Sequence, residues 1–118
     1  MKHDGFAGRW TIHKSPPPLS LAGALALPLR NGRRSAEVFV DGDLELRFYA
    51  PKGCDPQPPH DRDEIYVVAA GHGKFRVGGR VDRISPGALL FVAAHEVHRF
   101  EDFSNDFAVW VVFYGPMK

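Results

Sequence analysis

From residue 36 onward, short runs rich in β-branched and aromatic side chains alternate with tight polar punctuation. The runs fall at 36–40, 44–49, 65–70, 74–77, 80–84, 89–93, 97–103 and 107–114, the length and composition of strands. The breaks between them carry turn chemistry. Asp41-Gly42 predicts a hairpin turn, because both central positions of such a turn need a positive φ that Gly and Asp tolerate. Gly71-His72-Gly73, Gly78-Gly79, Pro86-Gly87 and Ser104-Asn105-Asp106 read the same way. Many short strands with closely spaced turns predict a closed all-β architecture.

Two segments depart from the alternating pattern. The run at 107–114 is apolar on both faces, whereas a barrel interior would account for only one, since successive side chains point to opposite sides. Its outer face needs a cover from the N-terminal segment, a second layer or a second subunit. The stretch 19–29 is apolar apart from Ser20. It predicts a short helix with Ser20 as N-cap and Pro28 near its end, its leucines covering a face or mouth of the barrel. Residues 1–18 show no period and hold a proline triplet, Pro16-Pro17-Pro18, so an irregular arm is expected there, anchored through Trp10 and Ile12. Pro51 to Pro59 forms a proline-rich loop. The division is an arm with a short helix over 1–32 and a β-barrel domain over 33–118.

Composition narrows the class. At 118 residues, 44% hydrophobic and 25% charged, the chain suits one globular domain with a modest core. A net charge of +1 with dispersed Lys and Arg offers no basic stripe for nucleic acid. The single cysteine, Cys54, forms no internal disulfide, which favours a reducing, cytoplasmic setting. The proline triplet breaks the outline of a secretion signal, and no apolar run is long enough to span a bilayer.

Candidate chemistry concentrates in two clusters. His60 and Glu64 precede Gly71; Gly87 and a short apolar run precede His95 and His98. Imidazole and carboxylate suit a borderline divalent cation. His60 and Glu64 would stand about 13 Å apart in one straight strand, so the chain must turn through Asp61-Arg62-Asp63 to bring them together. Taken singly, His60 would be a solvated loop residue, Glu64 a surface charge and His98 a hydrogen-bonded core histidine; only the joint spacing lifts them above those defaults. Tyr66 shares parity with Glu64 and is expected to point into the barrel. On the strand 44–49, Arg47 and Tyr49 share a face that could meet an anionic or aromatic ligand if turned inward, but Leu46 and Phe48 are the more natural inward pair, leaving Arg47 solvated. His72 and His95 replace or adjoin turn glycines and are expected to be exposed, His95 close enough to His98 to support it. His3 and His13 lie in the arm. No serine or cysteine nucleophile with a histidine partner, no phosphate-binding glycine loop and no dinucleotide motif is present.

With these spacings in view, the chain resembles the cupins, small β-barrel proteins marked by G-x5-H-x-H-x3-E-x6-G followed by G-x5-P-x-G-x2-H-x3-N. His60, Glu64 and Gly71 match the end of the first motif; Gly87 and His98 match the second. The resemblance spans roughly residues 33 to 115. It departs at four positions: Pro58 stands at the first histidine, Ala93 at the proline, His95 at the second glycine and Asp102 at the asparagine. The fold implied is a single-domain, jelly-roll double-stranded β-helix. The ligand set implied is His60, Glu64 and His98, with Gln57 as a replacement oxygen donor beside Pro58. The expected cofactor is a divalent ion, Fe, Zn, Mn or Ni. A small organic molecule is the expected partner, in a homodimer without nucleic acid or membrane. Three functions follow from the resemblance: a metal-dependent dioxygenase, isomerase or decarboxylase; a non-catalytic small-molecule-binding barrel; and a dimer with a structural metal.

Overall fold

Alternating side chains and glycine turns yield a protein built almost wholly from strands. In a computed structural model, residues 15–118 are described in full, and before them the backbones of Lys2–His3 and Trp10–Thr11. In chain order the elements are β1 (Lys2–His3), β2 (Trp10–Thr11), α1 (Leu21–Leu25), β3 (Ala36–Asp41), β4 (Leu44–Tyr49), β5 (Asp63–Ala70), β6 (Gly73–Val77), β7 (Arg80–Ile84), β8 (Leu89–Val92), β9 (His98–Glu101) and β10 (Ala108–Tyr114). The strands form a larger sheet, in the order β1-β2-β3-β4-β10-β5-β8, and a smaller one, β7-β6-β9. Pairing is antiparallel except between β2 and β3. The two short strands within the arm therefore extend the larger sheet, where sequence periodicity predicted irregular chain. The side chains of residues 1–14 lie outside the described residues, and with them the expected anchoring by Trp10 and Ile12 and the positions of His3 and His13.

The two sheets enclose the main core, as in a jelly roll. Tyr49, Tyr66, Val68, Val92, Val109 and Val111 from the larger sheet meet Phe75, Val77, Ile84 and Phe100 from the smaller. Period-2 alternation is clearest in β5, where Glu64, Tyr66 and Val68 are buried between half-buried neighbours. On β4 the inward face is the reverse of the expected one. Tyr49 joins the core between the sheets, and Arg47, only 3% exposed, lines the cavity there. Phe48 and Leu46 instead pack on the outer face. The register explains it: Trp110 pairs with Phe48 and Val111 with Arg47, so whichever face β10 turns outward, β4 follows.

That outer face is covered from within the chain. Ala24 and Leu27 pack against Val38, Phe48, Ala108 and Trp110, so the N-terminal segment accounts for part of the two-sided apolarity of β10. The helix is short and capped as expected, with the Ser20 hydroxyl accepting from the Gly23 amide at 3.0 Å. Of the leucines expected to form the cover, Leu27 does so, whereas Leu21 and Leu25 do not. Leu21 and Leu25 are 37% and 56% exposed; the small Ala24 lies on the contact side, letting the helix approach the sheet closely.

Turn geometry trims the expected strands. β9 stops at Glu101 because Asp102 turns left-handed, φ 48°. His95, standing at the glycine position of the second motif, takes the glycine conformation, φ 69°. Gly71, φ 74°, lies so close to Phe107 that an added Cβ would meet its backbone at 2.6 Å, which excludes larger residues there. β5 begins two residues earlier than predicted, placing Glu64 inside the sheet opposite Val92 and Phe113.

Candidate metal centre

The bend at Asp61-Arg62 lets the loop residue His60 fold back over the start of β5. Its Nε2 lies 3.6 Å from Glu64 Oε1, in place of the ~13 Å of an extended strand. His98, the first residue of β9, reaches the same oxygen from the opposite sheet, Nε2 to Oε1 3.0 Å. One donor atom from each of the three lies within 4.8 Å of the others. Donors about 2.1 Å from a shared ion stand about 3.0 Å apart at right angles and about 3.4 Å apart at tetrahedral angles. The 3.0 Å between His98 and Glu64 matches that range, and the 3.6 Å between His60 and Glu64 lies just beyond it.

Bonding within the cluster is unbalanced in an informative way. Glu64 and His98 side chains are fully buried, and His60 is 26% exposed. Neither Glu64 oxygen has an aligned hydrogen-bond partner, although imidazole nitrogens stand within ion-pair range. Groups aimed at a common third point approach each other off their bonding axes, and a buried carboxylate left so is costly without a cation. His98 is oriented for the same task. Its Nδ1 lies 2.8 Å from the Glu96 carbonyl, an acceptor that holds the ring proton on Nδ1 and turns the Nε2 lone pair into the site.

A second layer, invisible to motif reading, orients Gln57 beside this cluster. Asp55 is 6% exposed and accepts three hydrogen bonds: from the Tyr49 hydroxyl at 2.5 Å, Gln57 Nε2 at 2.8 Å and the Phe100 amide at 2.9 Å. A carboxylate can only accept here, so the Gln57 amide group must face Asp55 and its oxygen must face the site. Gln57 Oε1 sits 2.9 Å from His60 Nε2 and 3.2 Å from the Tyr66 hydroxyl. Tyr66 completes the inner wall, its hydroxyl 3.1 Å from His98 Nε2.

Electrostatics follow from burial. Desolvation lowers the His60 pKa, with the nearby His98 adding to the effect and Glu64 opposing it. For His98 burial also acts downward, but contact with Glu64 and the Glu96 carbonyl outweighs it and the net displacement is upward. Burial, reinforced by the Glu64 charge, pushes the Tyr66 phenol well above its ordinary range, so it stays protonated. At the rim, burial acts against ionisation of Glu45, yet bonds to Arg62 and Arg47 hold its pKa below the usual value.

A cavity of about 360 Å³ opens onto His60, Glu64, Tyr66 and Gln57. Arg47, expected in solvent, is one of its walls. Its guanidinium bonds the Ser35 hydroxyl and carbonyl, each at 2.6 Å, and Glu45 at 2.8 Å. Of the other histidines, His72 is exposed. His95 is exposed too, but its Nε2 meets the Lys118 carbonyl at 2.6 Å, away from the His98 support role expected of it. The backbone of His95 is what matters to the site, donating to the His60 carbonyl at 2.6 Å. The prolines around Asp55 carry no sequence signal of its role; its buried acceptor function shows only once β9 lies beside it.

Two sheets around a His–Glu–His cluster with a buried carboxylate define a small cupin-type barrel. The chain belongs to the cupin family: the family model described as "Cupin domain" matches residues 46–114. It is 37% identical over 62 residues to an uncharacterized protein of Streptomyces coelicolor, covering 52% of this chain and 59% of that one. It is 32% identical over 73 residues to the HTH-type transcriptional activator RhaS of Yersinia pestis, covering 62% of this chain and 27% of the activator. The chain thus spans less than two thirds of the length of these relatives. Among solved structures, the DMSP lyase DddQ of Ruegeria pomeroyi superposes with a TM-score of 0.58 at 23% identity, over 86% of this chain and 56% of the lyase. That likeness concerns the fold. No helix among the described residues is long and apolar enough to cross a membrane.

Proposed function

We propose that this cupin holds a divalent cation on His60, Glu64 and His98, with Gln57 Oε1 as a further ligand, and acts on a small organic molecule in the adjoining cavity. The observation that carries this reading is the buried Glu64 carboxylate, without an aligned hydrogen bond and facing two imidazoles. Two histidines and a carboxylate suit Fe(II), Zn, Mn or Ni with positions left open. When bound, such an ion polarises a carbonyl or other oxygen of the ligand, the chemistry that dioxygenation, isomerisation or decarboxylation would use. The protein's own part is orientation and exclusion of water. Tyr66, kept as a phenol, offers a hydrogen-bond donor at the cavity floor, and Phe113, edge-on to His60 at 5.2 Å, shields the exposed side of the centre.

A second reading is a ligand-binding barrel without turnover. The likeness to RhaS, a transcriptional activator of which the matched segment is a minor part, supports it. A homodimer in the cytoplasm is also proposed, on the exposed Leu89 and Phe91 of edge strand β8 and the solitary Cys54.

Metal content by mass spectrometry on untagged protein, beside His98→Ala, tests the site. Near-stoichiometric metal in the wild type that is lost in a folded His98→Ala variant is the expected result. Metal retained in that variant overturns the assignment.

A further inference from the structure

Resting on the proposed metal site, the cavity beside it says what kind of ligand it takes. Its lining holds four guanidiniums, Arg33, Arg34, Arg47 and Arg62, against three carboxylates, Glu45, Asp61 and Glu64. Two of the four are already occupied. Arg47 is committed to Ser35 and Glu45 and lies 3.6 Å from Glu37. Arg62 bonds the other Glu45 oxygen at 2.5 Å and stacks over the Phe113 ring at 4.9 Å. Glu45 thereby serves both cations, one on each of its two oxygens. Arg33 and Arg34 are exposed, and no carboxylate pairs with either among the described residues.

Solvated surface arginines are ordinary; what distinguishes this pair is how the backbone presents it. Asn31 and Gly32 both adopt positive φ, 52° and 69°, and the Arg33 amide closes the turn onto the Arg30 carbonyl at 2.8 Å, the geometry an Asn-Gly turn favours. One residue beyond the pair, Ser35 is held through its hydroxyl and carbonyl by the buried Arg47. The pair is therefore fixed on both sides, at the cavity rim rather than on a free loop. The Arg34 charge also acts on the Tyr49 hydroxyl, a group of the inner wall. A bound divalent cation would add to an excess of positive charge already present.

We infer that the cavity binds a small organic oxyanion, its carboxylate or phosphate group gripped by Arg33 and Arg34 while its other end reaches the Glu64 centre. Planar guanidiniums read both groups through paired N–H donors, and a cavity of about 360 Å³ admits only a small molecule.

Calorimetric titration with malonate, methylphosphonate and the neutral malonamide tests the inference, on zinc-loaded and chelator-treated protein. At least one anion should bind, with malonamide about tenfold weaker or worse. The tighter of the two anions assigns carboxylate or phosphate. Arg33→Gln combined with Arg34→Gln should lower anion affinity by about tenfold or more with zinc content unchanged. Arg80→Gln, an exposed arginine paired to Asp82 outside the cavity, should change neither. Equal binding of malonamide, no anion binding, or full anion affinity in the double variant overturns the inference while leaving the metal site standing. Failure to load zinc, iron(II), manganese or nickel, with anion binding still dependent on Arg33 and Arg34, removes the metal reading and leaves this one intact.

Discussion

Glu64→Gln separates a carboxylate built for a cation from one that merely braces the fold. Glu64 is fully buried, its oxygens lack aligned donors, and its Oε1 lies 3.0 Å from His98 Nε2. The metal-free protein therefore carries the desolvation of that charge with little return. A glutamine keeps the shape, removes the charge, and can donate from its amide to the His98 Nε2 lone pair. Relieving one buried unsatisfied acceptor is worth about 1–3 kcal/mol, so chelator-treated Glu64→Gln should be more stable than wild type by about that amount. Metal should reverse the order. A site-bound ion at about 100 times its Kd adds about 2.7 kcal/mol to the wild type, and the variant should gain little. Urea unfolding with and without added metal measures both differences, with an unchanged m-value showing that the unfolded state is not the cause. A metal-free variant less stable than wild type, responding to metal as the wild type does, would refute the reasoning and make Glu64 a structural partner of His98.

Asp55→Ala should be far more damaging, because it strands buried donors on Tyr49 and Phe100 and a half-buried one on Gln57. The expected loss is about 3–6 kcal/mol, visible in denaturant midpoints, whereas Asp55→Asn keeps one acceptor and should lose roughly half as much. Glu45→Gln tests the rim. The folded pKa of Glu45 is depressed by Arg62 and Arg47 against the opposing effect of burial, so its contribution is present above the ordinary value of 4.5 and lost as pH falls through the lower folded value. The variant should be less stable than wild type by about 1–3 kcal/mol at neutral pH, and the two curves should converge below 4.5. A gap that persists at low pH would assign the effect to packing instead of charge.

Much of the architecture was legible in the chain because it depends on local chemistry. Turn residues placed the hairpins, Ser20 capped the helix, and the spacing of His60, Glu64, Gly71, Gly87 and His98 pointed to the cupin barrel and to the residues that converge in it. Alternation in β5 is enough to put Tyr66 on the same face as Glu64. What alternation does not carry is which of two faces points inward. Arg47 and Phe48 share a strand, and hydrophobicity favoured Phe48 for the interior; pairing with β10 reversed them, and a second layer under α1 gave Phe48 its own apolar cover. The arginine-rich rim followed from that reversal, since Arg47 facing inward holds Ser35 and with it the Arg33-Arg34 pair. Asp55 depended on the tertiary structure still more, its role existing only where Tyr49, Gln57 and Phe100 meet. The sequence by itself determined the strands from β3 onward, the turns and the residues that could hold a cation. Only tertiary structure decided which charges are buried and whom they face, because that rests on contacts between residues far apart along the chain.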